Sequence, residues 1–224
     1  ALPISVSGYR ALVGHSLGGI FALQVLAQQP ELFDDYLVID PSTWYDNRKF
    51  ANGVLDSLTS GNYVGKSLFV AMANTNNEPD TTRLKLIHTD FSEHQKSILD
   101  FTLSARKLST SGLTFIDRYY PNDDHNSVPM IATYDGLREL FKTYRFSFDG
   151  LHAPDFSPLR SIPDHFARLS KKIKHPMRPS PEFLELCDLY YTVIPDATRK
   201  QETRTLYQQM YPDRAKAYIS KNSQ

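Results

Sequence analysis

The run Gly14-His15-Ser16-Leu17-Gly18 stands between two segments of opposite character. Before it, Tyr9-Arg10-Ala11-Leu12-Val13 is short and apolar enough for a strand. After it, Gly19-Ile20-Phe21-Ala22-Leu23-Gln24-Val25-Leu26 reads as a helix. G-x-S-x-G at a strand-to-helix turn is a nucleophile elbow, in which a sharp bend holds a serine hydroxyl clear of its neighbours. That constrains the fold to an α/β sheet and the chemistry to acyl transfer through Ser16. Gly14 and Gly18 are expected where a side chain would strike the turn, and Gly19 where the new helix must pack closely. Leu17 opens the helix, so its backbone N–H is expected as one donor of an oxyanion hole. His15, adjacent to the serine on a tight turn, is expected to point away from the chemistry.

The composition agrees with a globular enzyme and argues against several other classes. Of 224 residues, 41% are hydrophobic and 12% aromatic, enough for a packed core. Lys+Arg and Asp+Glu number 25 each. A net charge of zero offers nothing to a nucleic acid or an anionic membrane surface. The single cysteine, Cys187, excludes an intrachain disulfide and a cysteine metal framework, and reads as a small helical core residue. No run approaches the length of a membrane-spanning helix. No targeting segment is legible, so the compartment stays open.

Downstream of the elbow, strands and helices alternate. Asp35 to Asp40 reads as a buried strand, residues 48–60 as a short helix, and Lys66 to Ala73 as the next strand. A polar loop, Asn74 to Thr82, leads into an amphipathic stretch from about Arg83 to Lys107. Leu113 to Tyr120 is a fourth strand, followed by a loop and a helix from about Val128 to Tyr144. This alternation predicts right-handed crossovers and a parallel sheet. Residues 146–160, with Gly150, Pro154 and Pro158, have linker composition. Beyond them three helices are expected near 161–174, 181–193 and 198–221, their aromatics burying against one another. The expected organisation is a catalytic domain over residues 1–145, a linker or loop over 146–160 and a helical extension over 161–224.

A serine nucleophile of this type requires a histidine beyond a later strand, with an acid between them in chain order. Of seven histidines, His125 alone falls in a loop after the last strand of the alternation. It is therefore the expected general base. The acid is expected on the loop after the third strand, which offers Glu78 and Asp80. Glu78 is preferred as the nearer to the strand end, Asp80 is its alternative, and a serine–histidine dyad without an acid stays open. Asp123 and Asp124, too near His125 to turn back onto it, are expected to cap its loop.

Three blocks together resemble the esterase branch of the α/β hydrolases that includes the enterobactin and salmochelin esterases. They are Gly14 to Gly19, Pro41-Ser42-Thr43-Trp44-Tyr45-Asp46-Asn47, and Tyr120 to Pro129. The second resembles that branch's S-P-S-x-W-W-x-N segment, with Asp40 at the first Ser and Tyr45 at the second Trp. The resemblance covers about residues 9–144. It implies ester hydrolysis through a Ser16 acyl-enzyme, no cofactor and no metal. It also implies a small-molecule ester as partner, with Trp44 lining the acyl or aryl pocket unless it fills the core. Residues 161–221 are similar to the helical extension of some relatives.

The fold class expected is thus α/β, the C-terminal part of an α/β-hydrolase parallel sheet followed by a small helical module. Members of the branch have strands ahead of the elbow, and one of their loops supplies a second oxyanion donor. The chain is accordingly expected to be N-terminally truncated, and weak or inactive by itself. Self-association is expected through the helical extension or the exposed sheet edge. A non-catalytic binding or scaffold role, or acyl transfer to an acceptor other than water, are the alternative functions.

Overall fold

The computed structural model describes residues 8–78, 80–108 and 112–222. They divide into a sheet-bearing unit, residues 9–142, and a helical unit from Thr143 onward.

In the first unit four strands, β1 (Ala11–His15), β2 (Asp35–Ile39), β3 (Ser67–Ala73) and β4 (Thr114–Tyr120), pair in sequence order, all parallel. The register places His15 beside Ile39, Ile39 beside Ala71, and Ala73 beside Tyr120. The C-terminal ends of the strands, and the loops that follow them, therefore lie along one edge of the sheet. Every residue of β2 and β3 is buried, as expected of central parallel strands covered on both faces.

Those faces alternate. Tyr36, Val38, Leu68 and Val70 meet α1 (Leu17–Gln28), α2 (Lys49–Ser60) and α3 (Asp90–Ala105) through Leu23, Val54 and Ile98. Leu37, Ile39, Phe69 and Ala71 meet α4 (Val128–Leu140) through Val128 and Ala132. Leu37 lies against Gly136, where an added Cβ would stand 2.3 Å from a Leu37 methyl carbon. This close approach seats α4 on the sheet. The four expected strands form at the expected places, within two residues at either end.

The helical unit comprises α5 (Pro158–Ile173), α6 (Pro181–Val193), α7 (Ala197–Met210) and α8 (Pro212–Lys221). The third expected tail helix is two helices, because Pro212 begins a new one at its first position. Residues 146–160 lead from the sheet-bearing unit into α5. They contain a 3₁₀ turn, Phe148–His152, and Phe146, Phe148 and Phe156 pack against Leu184, Cys187 and Tyr207. Tyr191, fully buried, donates to the Leu151 carbonyl at 3.1 Å. Cys187 is a buried core thiol whose pKa burial pushes up to about 12. No helix among the described residues is long and apolar enough to cross a membrane.

Truncating Leu37 to alanine removes the side chain that joins β2 to α4. The expected loss is about 2–5 kcal/mol in urea unfolding, with the denaturant slope unchanged.

Candidate active site

Ser16 has φ 58° and ψ −119°, a backbone conformation that non-glycine residues rarely adopt. Its surroundings hold it there. The Ser16 N–H donates to the Ile39 carbonyl at 3.0 Å, and the Ser16 carbonyl accepts from Ser42 N–H at 3.0 Å. Gly14 is required, since a Cβ there would stand 2.1 Å from the Gly18 carbonyl oxygen. Gly18 itself faces open space, contrary to expectation. The Gly19 contact is with Pro41, 2.9 Å from a built Cβ, so the start of α1 closes onto the turn after β2.

His125 stands with Nε2 3.1 Å from Ser16 Oγ and Nδ1 2.6 Å from Asp40 Oδ2. A carboxylate can only accept, so Nδ1 carries the proton and Nε2 presents its lone pair to the serine hydroxyl. The carboxylate that meets His125 is thus Asp40, where Glu78 or Asp80 was expected. The Glu78 carboxylate accepts from the Asp80 N–H at 3.0 Å, and Asp80 caps the following turn through Thr82 N–H at 2.9 Å. Both are engaged within their own loop. Asp40 immediately follows β2, the strand paired with β1, so the register sets it beside Ser16. The His125 loop crosses the end of β3 to reach it. Asn74 supports that crossing, donating from its backbone N–H to Asp123 O at 2.8 Å and from Nδ2 to Pro121 O at 2.9 Å. Asp124 caps the loop as expected, accepting from the N–H groups of Asn126 and Ser127.

His15 does not point away. Its Nε2 lies 2.9 Å from the His125 carbonyl oxygen and donates to it, tethering the loop from the β1 side. Its pKa is lowered, by burial and by the neighbouring His125, which favours its neutral form.

The Asp40 carboxylate has no exposure to water. Oδ1 accepts from Ala73 N–H at 2.8 Å, and Oδ2 accepts from two histidines, His125 and His94 (Nε2, 2.8 Å). Burial alone would raise its pKa, but the bonds from His125, His94 and Ala73 outweigh that and hold it at about 2. The His125 pKa is raised, chiefly by its bond to Asp40, against an opposing effect of burial. Among the described residues, the set of ligand atoms close enough together for a metal ion is Asp40, His94 and His125. Their facing atoms are already hydrogen-bonded to one another.

A cleft of about 480 Å³ opens over this chain of groups, lined by Ser16, Ser42, Trp44, Thr75, His94 and Asn126. Trp44 is 43% exposed, on the cleft rather than in the core. Its loop turns through three successive left-handed residues, Asp46, Asn47 and Arg48. Arg48 then clamps it to α3, donating to Glu93 and Asp100 at 2.7 Å each. Ser42 Oγ is 3.3 Å from Ser16 Oγ.

No protein-family model matches the chain. A crystal structure of an IroE-like serine hydrolase from Shewanella oneidensis is similar with TM-score 0.69 and 32% identity, covering 91% of this chain and 60% of that one. Siderophore enterobactin esterase of Emericella nidulans is 54% identical over 41 residues, 18% of this chain and 14% of that protein. Siderophore triacetylfusarinine C esterase of Aspergillus fumigatus is 23% identical over 152 residues, 63% of this chain. The chain spans about half the length of this second relative, at 52%.

A parallel sheet with a strained serine between strand and helix, and a histidine loop at the strand ends, defines an α/β hydrolase. Its similarity to relatives named as siderophore esterases and to an IroE-like serine hydrolase supports an esterase of the α/β-hydrolase type.

The shifted ionisations set the pH behaviour. Asp40, depressed below its ordinary 3.8, contributes stability that is present above that value and is lost as pH falls toward 2. His125, raised above 6.5, contributes stability that is present below 6.5 and is lost as pH climbs through the raised value. Asp40→Asn removes the main cause of the His125 shift. Histidine titration followed by NMR is expected to show His125 losing its proton at lower pH in that variant than in the wild type.

Proposed function

We propose that the protein is a carboxylic ester hydrolase that works through an acyl-enzyme on Ser16. The observation that carries this reading is the unbroken hydrogen-bond chain Ser16 Oγ, His125 Nε2, His125 Nδ1, Asp40 Oδ2. Ser16 Oγ attacks the ester carbonyl carbon while His125 Nε2 takes the hydroxyl proton. The carbonyl π electrons move to oxygen, and the resulting oxyanion is held by the Leu17 N–H at the start of α1. Collapse of that intermediate expels the alkoxide, which receives the proton from His125 and leaves as alcohol. Water, deprotonated by the same nitrogen, then attacks the acyl carbon, the bond to Ser16 Oγ breaks as that oxygen takes the proton back from His125, and the acid is released. Asp40 stabilises the imidazolium formed in each half and fixes its tautomer, remaining ionised throughout.

The cleft supports a substrate with an apolar or aromatic portion. Trp44 supplies a broad apolar face, while Ser42, Thr75 and Asn126 supply neutral polar groups. The relatives named for enterobactin and triacetylfusarinine C point a substrate screen first to siderophore esters, then to simple aryl esters. No cofactor enters any step of this scheme.

A fluorophosphonate probe tests the reading directly. Labelling of wild-type protein is expected at Ser16 by peptide mapping, and Ser16→Ala is expected to lose it entirely. Labelling that survives in Ser16→Ala would place the nucleophile elsewhere.

A further inference from the structure

Asp40 is held by more than the base it serves. His94, in the second turn of α3, directs Nε2 at the same Oδ2 atom that accepts from His125. The two rings meet nearly edge to face, 88° apart with centroids 5.1 Å apart. Since a carboxylate only accepts, His94 Nε2 carries a proton and donates it, just as His125 Nδ1 does. The carboxylate thus has three donors in a site that water does not reach: Ala73 N–H on Oδ1, and two imidazoles on Oδ2.

The placement of His94 is built into the fold at several points. Thr89 caps α3 reciprocally with Ser92, each side chain bonding the other's backbone N–H at 3.1 Å. Ser97 donates to the His94 carbonyl at 2.8 Å and pairs at 2.7 Å with Thr43, both hydroxyls buried. Thr43 lies three residues beyond Asp40, so this contact locks α3 to the segment that carries the acid. Arg48 makes a second tie between the same segment and α3 through Glu93 and Asp100. An α3 fastened twice to the loop after β2 holds its histidine at a fixed distance from Asp40.

We infer that His94 is a positioning residue for the reaction, holding the Asp40 carboxylate toward His125 and taking a share of its negative charge. The inference rests on the Ser16–His125–Asp40 reading above. Without His94, one acceptor site on Oδ2 in a dry pocket has no donor, and the carboxylate gains freedom to turn about its Cβ–Cγ bond. The charge then falls more fully on His125 and favours its protonated form. His125 would become available as a base only at higher pH. The other titratable groups around His125 are His15 from β1, which also feels His94 electrostatically, and Asp124 on its own loop.

Two variants separate positioning from packing. His94→Leu fills the space without a donor, whereas the amide nitrogen of His94→Gln reaches about where Nε2 lies. The rate of fluorophosphonate labelling and the turnover of an aryl ester are read against pH, with folding checked by circular dichroism. In His94→Leu a drop of roughly tenfold to a hundredfold in labelling rate and kcat is expected, with KM within about twofold. Its acid limb moves to higher pH. His94→Gln is expected to recover most of the rate and to keep the wild-type limb. Rates within twofold of wild type in folded His94→Leu would overturn the inference. So would an unmoved acid limb, a change confined to KM, or a Gln variant no better than Leu. Ser16→Ala and Asp40→Asn, measured alongside, report on the underlying reading. If both are inactive while His94→Leu is unimpaired, the triad stands and the role of His94 falls.

Discussion

A carboxylate buried away from water must be surrounded by hydrogen-bond donors, and around Asp40 those donors come from three elements. β3 gives a backbone N–H, α3 gives His94, and the loop after β4 gives His125. Such a charge in an apolar interior would be costly alone. Here burial raises its pKa and the donors more than reverse that. The requirement reaches outward. α3 must be capped and tied to the segment after β2, and the His125 loop must cross the end of β3.

Strain is concentrated where these constraints meet. Ser16 and Asp40 both adopt positive φ, at 58° and 42°, at the ends of two paired strands. Residues with side chains adopt such angles at a cost of order 1–3 kcal/mol each. The surrounding hydrogen bonds, from Ser16 N–H to Ile39 O and from Asp40 N–H to Ala71 O, leave little room to relax. The result is a serine and a carboxylate placed by backbone geometry, with one histidine spanning them.

Much of this is legible in the sequence. The elbow is marked by its flanks, and the four strands by apolar runs of strand length. The place of His125 beside Ser16 follows from the rule that the partner histidine lies beyond the last strand. Asp40 is hard to read because it closes an apolar strand, while the loop after the third strand offers two carboxylates, Glu78 and Asp80. The signal that could have found it is adjacency. β1 and β2 pair in register, so the residue one past β2 lies beside the residue one past β1, which is Ser16. His94 carried no local signal, because its role depends on how α3 docks. The same holds for His15, whose acceptor lies 110 residues away. In the tail, Pro212 is a readable helix start, although the expected helix runs across it.

In the proposed reaction Asp40 acts through His125 on Ser16. Rapid mixing with an activated aryl ester, followed by intact-mass measurement, reads the rate at which Ser16 becomes acylated. The wild type is expected to acylate and then lose the acyl group to water. Asp40→Asn is expected to acylate about 10³- to 10⁴-fold more slowly, because its histidine is no longer held in the right tautomer. Acylation of Asp40→Asn at the wild-type rate would contradict the account.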